Sequence, residues 1–187
     1  MKPTKTDLEA FDAVVWDLDG TLVHLAVDWD EVANEVIEAF DGHGVDAGGM
    51  DLWAMLDLAD EEGIRGEIEA IIADHEHEGA RESERLPHAD ALGANGAAEG
   101  VCSLNCEDAC NVALDAHDLS EHVDAVVGRD SVATRKPDPK PLLETIDRIG
   151  ADTESTVFVG DSLTDEHAAD RAGVEFLYVG GRPSSLG

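Results

Sequence analysis

The sequence predicts an α/β fold in which a parallel sheet is covered by helices on both faces and a helical insert interrupts the chain after the first strand. Short apolar runs without polar alternation, such as AVVWDL and STVFVG, read as strands buried on both faces. Segments of helical length separate those in the second half of the chain, as right-handed crossovers between parallel strands require. The long block between the first and second of these strands carries helical apolar spacing instead. At 187 residues the chain suits one compact unit with a small insert.

The first strand is expected over residues 13–18, β-branched and aromatic, and is stopped by Asp19-Gly20, a turn dipeptide. From residue 29 to residue 84 apolar residues recur at helical intervals: Val32, Val36, Ile37 and Phe40, then Leu52, Met55 and Leu56, then Ile64, Ile68, Ile71 and Ile72. The glycine-rich GHGVDAGG separates the first two groups, and no strand is expected in this block. Trp29, Met50, Trp53 and Met55 are expected to pack the insert, some of them within reach of substrate. After Leu86-Pro87 the alternation resumes. Strands are expected at 97–104, 123–128, 155–160 and 174–179, with helices at 107–117, 141–149 and 165–172. The closing GGRPSSLG reads as a loose tail. The expected division is a core of residues 1–25 and 86–187 around an insert of residues 26–85. Ligands of such sheets bind beyond the carboxyl ends of the strands, near a topological switch point.

Twelve Lys and Arg stand against 43 Asp and Glu, a formal charge of -31. Nothing basic and extended is available to displace counterions from phosphates, so nucleic acid and anionic membranes are not expected partners. No apolar run is long enough to cross a bilayer. The start, MKPTKTDLEAFD, has no apolar segment of the secretory kind, and the expected compartment is the cytoplasm. Lysines number four, aromatics make up 4 %, and the acids are spread along the whole chain, which suggests a salt-adapted protein, with the acidic surface of a mesophilic one as the plainer alternative. Dense surface charge repels itself at low ionic strength and is screened at molar salt. Cys102, Cys106 and Cys110 match no common zinc or cluster spacing and read as reduced core thiols. His75 and His77 sit two apart on a helix, facing different ways, and read as a solvated polar face.

Asp17 and Asp19 fall two apart at the tip of the first strand, within DLDGT. Neighbouring carboxylates disfavour joint ionisation, which suits a hard metal ion or an acid/nucleophile pair; an acidic Asp-Gly turn is the plainer alternative. A second strand tip, VFVGD, brings Asp161, with Asp165 four residues on in the opening turn of a helix. Metal binding and helix capping are both open there, and Mg²⁺ needs only one or two protein carboxylates. Lys136, in RKPDPKP, is presented from a proline-stiffened loop and suits a phosphate, or else is simply solvated. Ser103 ends the strand GVCSL, where a hydroxyl and helix-start N–H groups can meet an anion.

In this order, DLDGT, strand-Ser, Lys-Pro and GDxxxD resemble the haloacid dehalogenase superfamily. KPDPKPLLETIDRIG and VFVGDSLTDEHAADRAGV are similar to its phosphoglycolate-phosphatase-like branch. The resemblance implies a three-layer, Rossmann-like parallel-sheet core with a small α-helical cap in the insert. It implies a Mg²⁺-dependent phosphatase acting on a small phosphomonoester, as a monomer or small homo-oligomer. Asp17 would be the nucleophile that becomes an aspartyl-phosphate, and Asp19 the acid/base. Thr21 would bind the substrate phosphate and assist Asp19, and Ser103 and Lys136 would grip the phosphoryl oxygens. The metal would be held by Asp17, the Asp19 carbonyl and Asp161, with Asp165 supporting that shell. Dehalogenases lack the second Asp of DLDGT and the ion-pumping members have Thr there, which leaves phosphatases and phosphomutases. Two departures from the pattern are Leu104, which intervenes between Ser103 and Asn105, and His88, which replaces a glycine. The alternatives on the same scaffold are a sugar phosphomutase and a non-catalytic acidic binding protein.

Overall fold

The computed structural model describes residues 8–94 and 96–181. The first seven residues and the tail beyond residue 181 lie outside them, so the loose-tail expectation falls largely outside the described residues. Five parallel strands form the main sheet: β1 (Ala13–Trp16), β4 (Ala98–Cys102), β5 (Ala125–Val127), β6 (Thr156–Gly160) and β7 (Glu175–Tyr178), in the order β5-β4-β1-β6-β7. Each strand falls inside its expected run, and β1 is central.

Successive side chains of a strand point to opposite faces, and β1 divides accordingly. Val14 and Trp16 join a cluster with Val101, Val159, Cys110 and Leu114, the last two from α4 (Glu107–Ala116). Val15 faces the other side, with Phe158, Leu142, Ile146 and Ala169 from β6, α5 (Lys140–Arg148) and α6 (Leu163–Ala172). Each fully buried Val, Leu, Ile or Phe contributes about 1.5–3 kcal/mol. The Trp16 indole reaches Glu99, buried beneath it, with Nε1 donating to Oε2 at 2.8 Å. Cys102, Cys106 and Cys110 are all buried and free.

Between β1 and β4 lie three helices, α1 (Trp29–Gly42), α2 (Leu52–Glu62) and α3 (Arg65–Arg81), around a separate cluster of Val32, Val36, Phe40, Met55, Leu56, Ile68 and Ile72. Asp28 and Asp51 cap the first two through their carboxylates, accepting from the Asp30 and Glu31 and from the Ala54 N–H groups. Two short strands depart from expectation: β2 (Val23–His24) pairs antiparallel with β3 (Glu84–Arg85). Both β3 residues are exposed, so no apolar alternation marked this strand. Trp29 is a second correction. At the first position of α1 it is 39 % exposed, whereas Met55 is buried in the insert cluster and Met50 and Trp53 pack against it.

Candidate active site

The sheet register explains which residues meet. Trp16 pairs with Val159 across β1 and β6, so the residues following the two strands emerge side by side. The Asp17 N–H donates to the Val159 carbonyl at 2.8 Å, and Asp161 follows Gly160. Lys136 arrives from the loop between β5 and α5. Its Nζ donates to Asp17 Oδ1 at 2.7 Å, to Asp165 Oδ1 at 2.6 Å and to the Cys102 carbonyl at 2.9 Å. Ser162 caps α6 and forms a reciprocal box with Asp165, whose Oδ2 accepts from the Ser162 N–H and hydroxyl. Ser162 is thus the cap, and Asp165, which closes its box, also stands in an acidic cluster with Asp17 and Asp161.

Asp17, Asp161 and Asp165 each offer an oxygen within 4.8 Å of the others, a set of hard donors that fits a divalent ion such as Mg²⁺. These groups, with Asp19, line a cavity of about 190 Å³ whose remaining lining includes Trp29, Trp53, Leu104 and Asn105. A more open cavity of about 530 Å³ lies beside Arg65, Glu69 and Arg129, whose charges already pair with one another. It offers no comparable cluster of acids around an ammonium.

Burial pushes the Asp17 carboxyl up; Lys136 pulls it back and Asp165 pushes it further, leaving it at about 7. Burial also opposes the charge of Lys136, but Asp165 and Asp17 outweigh it and hold the ammonium above its ordinary range. Two buried carboxylates share one ammonium, so negative charge remains uncompensated and favours a proton or a cation. Asp161 is raised by burial and then by Asp165. Asp19 is raised by burial, against the Leu25 N–H that donates to its Oδ1 at 2.8 Å.

Gly20 lets the loop after β1 close over this cluster. Its φ is +83°, and a Cβ there would collide with the Asp161 carboxylate. Thr21 departs from expectation. It is fully buried, it is not among the cavity-lining residues, and its hydroxyl donates to Asp17 Oδ2 at 3.5 Å and not to Asp19. The Ser103 hydroxyl donates to Asn105 Oδ1 and accepts from the Asn105 N–H, both at 3.1 Å. Leu104 and Asn105 both line the cavity, and Ser103 beneath these bonds does not.

Sequence reasoning missed the ties between the insert and this loop. Arg129, just after β5, donates to Glu76 at 2.5 and 3.1 Å, to Glu69 at 2.9 and 3.1 Å and to the Leu104 carbonyl at 2.8 Å. Glu76, wholly buried on α3, also accepts from Asn105 Nδ2 at 3.2 Å and the Cys106 N–H at 3.0 Å. The signal was present: Ile64, Ile68, Ile72 and Glu76 share one four-residue stripe, and the acid interrupts its apolar run. His75 pairs with Glu35 and His77 with Asp108, so the two do face different ways.

A family model described as haloacid dehalogenase-like hydrolase matches residues 14–179. The chain belongs to the haloacid dehalogenase-like hydrolases. Among curated relatives, a phosphoglycolate phosphatase of Cereibacter sphaeroides is 33 % identical over 181 residues, covering 87 % of this chain and 82 % of its own. One of Rhodospirillum rubrum is 29 % identical over 189 residues, covering 89 % and 78 %. Among solved structures, CbbY from Rhodobacter sphaeroides in complex with phosphate superposes with a TM-score of 0.65 at 19 % identity, over 91 % of this chain and 87 % of that one. That likeness is one of fold. With family and relatives together, this haloacid dehalogenase-like chain is a phosphoric monoester hydrolase. No helix among its described residues is long and apolar enough to cross a membrane.

Proposed function

We propose that the protein is a Mg²⁺-dependent phosphatase that hydrolyses a small phosphomonoester through an aspartyl-phosphate on Asp17. The observation that carries this reading is the meeting of Asp17, Lys136, Asp161 and Asp165 at the carboxyl ends of β1 and β6. An Asp17 oxygen attacks phosphorus as the bond to the ester oxygen breaks, and Asp19 gives that oxygen its proton. Asp19 then takes a proton from the water that attacks the phosphoryl group, which leaves as inorganic phosphate and frees Asp17. Lys136 and the Ser103 loop hold the phosphoryl oxygens, while Thr21 orients Asp17. Asp17, Asp161 and the Asp19 carbonyl, with Asp165 in support, would hold Mg²⁺, which would supply positive charge against the phosphoryl oxygens. Residues 26–85 serve as a cap that excludes bulk water. The phosphoglycolate phosphatases among the relatives support a small ester as substrate. The charge of -31 supports a protein adapted to high salt.

The test is phosphate release from p-nitrophenyl phosphate at molar KCl, with and without Mg²⁺. Asp17→Asn is expected to abolish release with an unchanged circular dichroism spectrum, and EDTA to stop the wild type until Mg²⁺ is restored. Full activity of Asp17→Asn contradicts the mechanism. A sugar phosphate isomerised without phosphate release would assign the site to a phosphomutase.

A further inference from the structure

The lining of the cavity defines more than the phosphoryl site. Trp29, 39 % exposed at the start of α1, lines this cavity. Trp53 of α2 lines it too; the Arg135 guanidinium lies 5.5 Å from its ring centroid. Leu104 adds a third apolar side chain, and its carbonyl is fixed by Arg129 Nη1 at 2.8 Å. Indole faces in a small cleft favour flat, apolar partners. About 190 Å³ is less than the roughly 300–1,000 Å³ of sites for drug-sized ligands, so the organic group is small.

The charges set a second condition. Asp17, Asp19, Asp161 and Asp165 line the same cavity, and among the described residues its one lysine or arginine is Lys136. That ammonium, which also donates to Asp17, Asp165 and the Cys102 carbonyl, is the one that the phosphatase reading assigns to the phosphoryl oxygens. The Arg135 guanidinium is held by both Asp57 oxygens at 2.8 Å and by the Trp53 carbonyl, and Arg135 is not among the lining residues. A carboxylate on the leaving group would therefore meet the indoles and Leu104 with no lining lysine or arginine left to pair with it, an unpaired charge of the kind that rejects a wrong ligand.

Resting on the phosphatase reading above, we propose that the preferred substrate is a phosphomonoester whose organic part is uncharged and presents a flat apolar face to Trp29 and Trp53. The carboxylate-bearing ester in the names of the relatives is then disfavoured here.

Matched esters test this. Carbamoylmethyl phosphate and carboxymethyl phosphate differ only in replacing an amide by a carboxylate, and phenyl and ethyl phosphate differ in the ring. With Mg²⁺ at molar KCl, kcat/KM is expected to favour the amide over the carboxylate by about tenfold, and phenyl over ethyl by a similar factor. Trp29→Ala and Trp53→Ala should each shrink the phenyl-to-ethyl ratio through KM, and Leu104→Lys should shrink the amide-to-carboxylate ratio. The Leu104→Lys readout keeps the test alive if a tryptophan variant does not fold. Turnover with the carboxylate ester equal or better, or ratios unmoved in the folded variants, overturns this proposal and leaves the phosphatase reading standing. No phosphate release from any of the four esters removes both.

Discussion

Replacing Arg129 by methionine leaves the wholly buried Glu76 without its ionic partner, keeping only the Asn105 amide and the Cys106 N–H as donors. Glu69, half-buried, retains Arg65 at 2.9 Å and is affected less. Burial works against the Arg129 charge, yet Glu76 and Glu69 outweigh it and raise its pKa. The guanidinium is therefore a committed cation, and removing one partner of such a buried pair costs about 3–5 kcal/mol. For a chain of this size each kcal/mol moves the melting temperature by about 2–4 °C, so Arg129→Met should melt roughly 6–20 °C lower. The assay is a thermal melt followed by circular dichroism at neutral pH in molar KCl, repeated for Glu76→Leu and for the double variant. Replacing both partners removes the stranded charge, so the double variant should recover most of the loss, and the cycle reads the coupling directly. A single variant within about 1 kcal/mol of wild type, or a double variant no better than the single, refutes the view that this pair ties the insert to the loop after β4.

Glu69 gives a pH signature. Burial raises its carboxyl, but Arg129 and Arg65 outweigh that and lower it below the ordinary 4.5. A depressed carboxylate stabilises the fold above its unfolded value, and that contribution disappears as the pH falls through the native one. The melting gap between wild type and Glu69→Gln should be full at neutral pH, begin to close below 4.5 and go on closing as the pH falls through the lowered native value; a gap that stays equal on acidification sinks the assignment. Gly20→Ala should cost about 1–2 kcal/mol from its left-handed backbone alone. Because its Cβ meets Asp161, it should also weaken Mg²⁺ activation, read as a higher Mg²⁺ concentration at half-maximal rate; unchanged Mg²⁺ dependence contradicts this geometry. With a formal charge of -31, the melting temperature should rise between about 0.1 M and molar KCl, and a flat or falling curve removes the salt-adaptation reading.

Much of the architecture was legible because burial on both faces leaves a strong mark. Val14, Val15 and Trp16, or Val157, Phe158 and Val159, have no polar alternation, and strands of a covered parallel sheet need none. The meeting of Asp17 with Asp161 could be anticipated from the rule that ligands gather at strand tips, and the register of β1 against β6 supplies it. What the sequence hid were features without periodicity. The β2–β3 pair is two residues long on each side, and the Thr21 hydroxyl depends on the path of one turn. Which of Trp29, Met50, Trp53 and Met55 pack the insert and which reach the cavity could not be read, because residue type alone does not tell an indole inside a cluster from one at its rim. The partners of Arg129 lie far apart in sequence, with Glu69 60 residues away and Glu76 53, and no local pattern joins such positions.

The pairing of Val23 with Arg85 and His24 with Glu84 places the departure and the return of the insert side by side, at the roughly 4.8 Å spacing of adjacent strands. A segment hung from two neighbouring pegs can lengthen, shorten or be exchanged over generations while the strands beneath keep their positions. Under the proposed function, selectivity carried by such a segment can drift, and the acids at the ends of β1 and β6 need not change with it.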